Sequence, residues 1–367
     1  MRDPKFYSLN RILKENAQYN IIFGERSNGK TYAALKYALE QWAKDGSQAG
    51  IIRRWQEDFK GKRGANLFNA LVLNGEITKI TKGKYNSVYY YSNRWYFSKY
   101  DETKMKREVS EEPFAFAFAL SNMEHDKSVS YPKIKTIIFD EFLTRDMYFP
   151  DEFVIFTNVI STIVRYRDDV KIFMLGNTVN KSCPYFKEMG LKHIAFMNKG
   201  DLETYTYGEG GKLRVAVEYA DSPNKGAGKP SDVYFAFDNP KLKMITGGAW
   251  EIALYPHKPF SYKPKDVIFS FFILFEIYTL QCDIIVQDGQ AIIFIHEKTG
   301  EIKYPETDLV YTTEYDPRPN WRRNITKPYF PIERKINELF KNEKVFYQDN
   351  EVGEVVRNYF AWCKTQR

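Results

Sequence analysis

The segment Gly24-Glu25-Arg26-Ser27-Asn28-Gly29-Lys30-Thr31 constrains this chain more than any other. It fits G-x-x-x-x-G-K-[ST] at every position. The apolar run 19–24 precedes it, and the pattern 30–44 follows it with Ala33, Tyr37, Ala38 and Trp42 at helical spacing. A strand, a glycine-rich turn and a helix in that order form a loop whose backbone N–H groups point at phosphates. The helix N-terminus adds the positive end of its dipole. Lys30 then reaches the β- and γ-phosphates of a nucleotide, and the Thr31 hydroxyl ligates Mg²⁺.

The rest of the first half fits an α/β fold with a parallel sheet. Strands are expected at 50–55, 114–120, 134–140 and 171–176, a hairpin at 87–99 turning at Ser92-Asn93, and a helix at 151–167. The run 134–140 (IKTIIFD) is continuously apolar, as in a strand covered on both faces, and ends in Asp140-Glu141. Asp140 is placed to hold Mg²⁺. Glu141 suits a general base acting on water, which points to an ATPase rather than a kinase. Asn177 ends the next strand, in Leu175-Gly176-Asn177-Thr178. It reads either as a residue sensing the γ-phosphate or as a plain strand-end turn. Arg165 and Arg167 close the 151–167 helix, where cations complement the helix dipole. Arg53 and Arg54 are candidates for ion pairs or for phosphate contact. Lys127, Lys133 and Lys135 precede the Asp140 strand as edge charges. Basic and aromatic residues interleave over 79–107, which fits either a nucleic-acid-tracking surface or an amphipathic hairpin.

Beyond residue 200 the pattern changes. Glycines and prolines crowd 200–235, which reads as a linker or irregular subdomain with a short strand at 213–219. Strands at 266–275, 282–287 and 291–296, then helices at 332–341 and 351–364, indicate a smaller α+β domain. The expected division is 1–199, 200–235 and 236–367. The most apolar run, 267–275, is far short of the ~20 residues that cross a bilayer. No apolar leader opens the sequence, and Cys183, Cys282 and Cys363 match neither a disulfide framework nor a zinc pattern. A soluble, intracellular protein is expected. Net charge is +7, and residues 1–235 carry all of it, with 36 Lys+Arg against 29 Asp+Glu. Residues 236–367 are balanced at 18 and 18. A polyanion partner, if there is one, is therefore expected on the first part.

The P-loop GERSNGKT, then IIRRW, IIFDEF, a PDE-initiated helix ending VRYR, and MLGNT with CPYF resemble the φ29-like bacteriophage DNA-packaging ATPases. These belong to the additional-strand, catalytic-glutamate division of P-loop ATPases. The resemblance covers roughly residues 1–200 well and the remainder in outline. It implies an ATP-driven homomeric ring, typically pentameric, at the procapsid portal or connector in the host cytoplasm. Such a ring moves double-stranded DNA and is tethered by a packaging RNA. At matching positions it implies Glu141 as catalytic glutamate, Arg165 as trans-acting arginine finger, Asn177 as coupling residue and, more loosely, Lys127 as trans-acting lysine. The second domain would resemble a degenerate RNase H-like nuclease. Asp266, Glu276, Asp283 and Asp288 form no evident nuclease pattern. Two alternatives stay open: a nuclease-competent terminase, and a P-loop ATPase acting on protein or membrane in phage assembly or export.

Overall fold

Strand β1 (Tyr19–Gly24) lies inside a ten-stranded sheet, buried along nearly its whole length. The computed structural model describes residues 7–365 except 27, 102–104, 126–129, 145–147, 179–181, 222–252, 259–260 and 288. The chain divides into two units, Met1–Trp250 and Glu251–Arg367.

The first sheet also contains β2 (Gln48–Arg53), β3 (Ser87–Tyr91), β4 (Arg94–Asp101), β5 (Lys106–Val109) and β6 (Ala115–Ala119). It is completed by β7 (Ile134–Asp140), β8 (Lys171–Asn177), β9 (Leu202–Tyr207) and β10 (Leu213–Ala220). The order is β3-β4-β6-β2-β7-β8-β1-β10-β9, with β5 beside β4. From β6 to β10 every neighbouring pair is parallel. Parallel strands need crossovers, and the helix Lys30–Asp45 supplies the one between β1 and β2. Its Ala34, Leu35, Ala38 and Leu39 face the core with Ile22, Ile51 and Ile138. Two strands, β7 and β8, stand between β1 and β2, so the strand ending in Asp140 does not touch the P-loop strand.

The expected hairpin turns at Ser92 and Asn93, both in the left-handed region at φ 49° and 59°. That geometry matches the twist of paired strands. The expected helix at 151–167 is Glu152–Val164. One boundary needs correction. The stretch from 200 was expected to lie outside the first domain, yet β9 and β10 complete its sheet, and β10 pairs in parallel with β1 from Tyr19↔Val215 to Gly24↔Ala220. The glycines at 208, 210 and 211 form the turn between them, all at positive φ. The strand expected at 213–219 is β10, and it carries a buried carboxylate, Glu218. Its charge is met by the Tyr7 hydroxyl at 2.5 Å and by Arg11 at 3.7 Å. The sheet of the first unit accordingly runs past 199, to Ala220.

The second unit holds a six-stranded sheet ordered β15-β14-β11-β12-β13-β16. Its strands are β11 (Val267–Phe275), β12 (Tyr278–Gln287), β13 (Gln290–Glu297), β14 (Leu309–Thr312), β15 (Trp321–Arg322) and β16 (Val345–Tyr347). The first three are antiparallel, while β14 and β16 run parallel to β11 and β13. Helices Pro331–Lys341 and Asn350–Thr365 place Ile336, Leu339, Val352, Val355 and Tyr359 against Phe271, Ile273, Ile284 and Ile293 of one sheet face. The apolar run 267–275 is thus the strand β11 of this core. Among the described residues no helix is long and apolar enough to cross a membrane. Cys183, Cys282 and Cys363 are unbridged and buried.

Candidate active site

The carboxyl ends of β1, β8 and β7 lie side by side. In register, Gly24 is opposite Asn177, and Asp140 is opposite Leu175. In an open α/β sheet this edge is where ligands bind.

The loop after β1 depends on two glycines. Gly29 sits at φ 90°, a conformation that L side chains rarely adopt. A Cβ on Gly24 would stand 2.7 Å from the Ala220 carbonyl oxygen. Lys30 opens the helix and is 5% exposed. Its Nζ donates to the Glu25 carbonyl at 2.6 Å, to Asn28 Oδ1 at 3.1 Å, and to Asn177 Oδ1 and the Gly24 carbonyl at 3.4 Å. Burial pulls its pKa down to about 8, against the opposing pull of Asp140 and Glu25. Asn28 is buried too, and its Nδ2 is a buried donor without a partner among the described residues. Glu25 pairs with Lys199 at 2.7 Å, while Arg26 is exposed. Ser27 lies outside the described residues.

Asp140 meets partners from two elements, 109 and 87 residues before it in the sequence. Thr31 Oγ1 donates to its Oδ1 at 2.9 Å, and Arg53 Nη2 donates to its Oδ2 at 2.7 Å. Glu141, the next residue, is exposed and turns the chain at φ 61°. A left-handed glutamate costs on the order of 1–3 kcal/mol and persists only when its surroundings hold it. Arg54 provides that hold. Its guanidinium donates to the Glu141 and Phe142 carbonyls at 3.3 and 2.8 Å and forms a two-pronged pair with Glu152. Both partners are buried, with side chains 7% and 0% exposed. Glu152 accepts further bonds from the Tyr185 hydroxyl and the Phe149 amide at 2.8 and 2.9 Å. Burial next to Glu152 pushes the Tyr185 pKa well up, so the hydroxyl stays a donor.

These residues suit a magnesium nucleotide. The Thr31 hydroxyl and Asp140 carboxylate are the hard oxygen donors that Mg²⁺ takes alongside phosphate and water. Lys30, the unpaired Asn28 amide and the helix N-terminus are donors for phosphate oxygens.

At the end of helix Glu152–Val164 the two arginines part company. Arg167 donates to the carbonyls of Tyr131, Pro132, Ile134 and Ile163, tying the helix end to the start of β7. Arg165 is exposed and sits at φ 52° beside the fully exposed Tyr166. Lys127 lies outside the described residues. Lys133 and Lys135 pair with Glu112 and Asp45 at the edge of the sheet. The sequence raised Arg53 and Arg54 without separating their roles. It carried Glu152 and Tyr185 within the PDE and CPYF segments without a role for either, and gave no sign of Lys199.

In the second unit the acids do not converge. Asp266 accepts from the Lys263 amide. Asp283 accepts from Ser270, Gln281 and Tyr262, with His296 at 3.4 Å. Among the described residues no group of three or more His, Cys, Asp or Glu could hold a metal ion. Asp288 lies outside the described residues.

Residues 1–198 match the podovirus DNA encapsidation protein (Gp16) family, more than half of the chain. The chain belongs to this family. The DNA packaging protein of Bacillus phage phi29 is 27% identical over 185 residues, 49% of each chain. That of Bacillus phage B103 is 30% identical over 178 residues, 47% of this chain and 48% of the relative. The chain thus spans about half the length of the curated relatives it matches. Among solved structures, the bacteriophage Phi-29 viral genome packaging motor assembly aligns at TM-score 0.60 and 21% identity, over 99% of this chain and 100% of that one. The Phi-28 gp11 DNA packaging motor aligns at TM-score 0.53 and 18% identity, over 98% of both. These likenesses establish the fold: an α/β domain with a parallel-core sheet followed by a smaller mixed unit.

Proposed function

We propose that this chain is an ATP-hydrolysing motor that moves double-stranded DNA into a procapsid as one subunit of a homomeric ring. The observation that carries the reading is the convergence of Lys30, Thr31 and Asp140 beside an exposed Glu141. Thr31 and Asp140, from two elements, present their oxygens 2.9 Å apart at the mouth of the P-loop. Family membership supports DNA as the polymer moved.

In this mechanism the backbone of Gly24–Thr31 and the Lys30 ammonium bind the phosphates. Thr31 and Asp140 hold Mg²⁺, which neutralises charge on the phosphate oxygens when bound. Nucleotide entry would draw Lys30 off the Glu25 carbonyl and Arg53 off Asp140. Glu141, exposed and fixed by Arg54 through its backbone, takes a proton from the attacking water. Asn177, 3.4 Å from Lys30 Nζ, reports the state of the site to β8. Arg165 is exposed, as a finger reaching a neighbouring subunit's site needs to be, whereas Arg167 is committed to its own backbone. Lys127 is proposed as a second trans-acting cation. The ring is read as a pentamer at the portal or connector, tethered by a packaging RNA and assembled in the host cytoplasm. A nuclease-competent terminase is disfavoured by the scattered acids of the second unit.

The test is ATP turnover of the full chain with and without duplex DNA. Duplex DNA should stimulate it with steep salt dependence. Glu141→Gln should bind ATP as tightly as the parent and lose at least a hundredfold in turnover, the range of a lost general base. Retained turnover would refute the assignment of Glu141. Indifference to DNA, combined with stimulation by a protein partner, would favour an assembly or export ATPase.

A further inference from the structure

The helix Glu152–Val164 closes on a residue that helix ends do not favour. Arg165 takes φ 52°, in the left-handed region where a closing helix usually places glycine. The helix Lys30–Asp45 follows that rule, with Gly46 at φ 73°. A cation that only complements the helix dipole can sit within the last turn, in ordinary helical geometry. A left-handed arginine is strained, persists only where its surroundings hold it, and belongs to a class of outliers that gathers at functional sites. Arg165 and the next residue, Tyr166, are both exposed, the tyrosine fully.

Arg167 supplies the hold. Its Nη1 donates to the carbonyls of Pro132 and Ile134 at 3.2 and 2.8 Å, and its Nη2 to those of Tyr131 and Ile163 at 3.2 and 2.9 Å. One fork thus joins the last turn of the helix to the entry of β7. That entry is itself fixed. The Lys133 carbonyl accepts from the Gln48 amide at 2.7 Å, and the Tyr131 ring packs against Phe116 and Phe118 with centroids 5.3 and 5.0 Å apart. On the near side, the Arg165 amide donates to the Ser161 carbonyl at 2.9 Å, and the Arg167 amide to that of Val164 at 3.1 Å. Arg165 and Tyr166 therefore ride on a short turn pinned by the helix before it and by the fork after it. The ion pair of Arg167 with Asp169, at 3.6 Å, is longer than any of the four carbonyl bonds. Capture of backbone, more than pairing of charge, is what this side chain does. A planar guanidinium with five donors can meet four carbonyls from two segments, whereas a lysine ammonium carries three donors on one nitrogen.

We infer that Arg167 is a positioning residue for Arg165, holding the turn on which that arginine is presented to a neighbouring copy of the chain. The inference rests on the reading of Arg165 as a trans-acting finger, and it assigns the device that keeps the finger set. The test mixes full-length chains in equal amounts and measures DNA-stimulated ATP turnover. Arg167→Ala alone should lose about a hundredfold in kcat, the order of a catalytic group misplaced by an ångström, with KM for ATP unchanged because its own P-loop is intact. Mixed with Glu141→Gln it should recover turnover, since the Glu141→Gln chain lends an intact finger to the intact site of the Arg167→Ala chain. Mixed with Arg165→Ala it should recover none, because both chains then lack a usable finger. A general loss of structure would not sort the mixtures in this way. Arg167→Lys keeps the charge without the fork and should behave as Arg167→Ala does, and its mixtures carry the test if Arg167→Ala does not fold. Parental turnover in Arg167→Lys would overturn the inference. So would recovery with Arg165→Ala, or no recovery with Glu141→Gln where Arg165→Ala does recover with it. If Arg165→Ala itself recovers nothing with Glu141→Gln, the trans-acting reading has failed, and the inference falls with it.

Discussion

Lys30 carries the part of the site most open to a direct pH test. Held at about 8 by burial, it is partly neutral in the free protein above that pH, whereas an unperturbed lysine stays charged to about pH 10. Bound phosphates favour the charged form. The sign follows: near pH 6.5 the ammonium is charged with or without nucleotide, and binding moves no proton at this group. Between about pH 8 and 10 binding takes up as much as one proton, so affinity falls as pH rises. Calorimetry of ATP binding in buffers of different ionisation enthalpy should show that uptake near pH 9 and not near pH 6.5. Buffer-independent heats at the higher pH would contradict it. The P-loop segment and the Asp140-Glu141 pair were legible as candidates, because their chemistry is local and their spacing is set by a turn or a strand end. The difference between Asp140 and Glu141 was less so. The first is buried between Thr31 and Arg53, and the second is pushed into solvent by a left-handed turn. No residue type announces that turn.

At the scale of elements, Arg53 and Arg54 show what a pattern of alternation conveys and what it withholds. Consecutive strand-end residues point to opposite sides, so the two arginines had to meet different partners. Their partners, Asp140 and Glu152, lie 87 and 98 residues away and come within reach only through the pairing of β2 with β7 and the packing of the Glu152–Val164 helix. Arg54→Ala would leave Glu152 buried with its countercharge gone. The expected loss is about 3–5 kcal/mol of stability in denaturant unfolding. The pair Arg54→Met/Glu152→Gln should recover much of that loss, since neither charge then remains buried. Stability equal to the parent in the single variant would show that the pair does not hold this corner. Likewise β9 and β10 were read as lying outside the domain because glycines and prolines dominate the stretch, and Glu218 is a carboxylate buried in the strand. Only the neighbouring Tyr7 and Arg11 make that carboxylate tolerable inside the sheet.

For the whole molecule, the proposed ring makes a prediction that no single subunit can satisfy. If Arg165 acts in trans across a head-to-tail interface, Arg165→Ala and Glu141→Gln subunits should each be inactive alone. Mixed in equal amounts, they place an intact Arg165 beside an intact Glu141 at roughly a quarter of random interfaces. DNA-stimulated turnover should rise accordingly in the mixture. A mixture as inactive as its parts would place Arg165 outside the site. The sequence by itself determined that an α/β domain carrying a P-loop motif precedes a smaller mixed one, and it located the positive charge in the former. It could do so because P-loop chemistry, strand periodicity and charge are properties of short stretches. Tertiary structure alone decided that β7 and β8 separate the two strands flanking the P-loop helix, and that the first domain runs past residue 200. It also decided that Arg54 braces the turn after Asp140 through the Glu141 and Phe142 carbonyls. Each of these depends on strand order or register, which arises from contacts between residues far apart in the chain and leaves no trace in any local window.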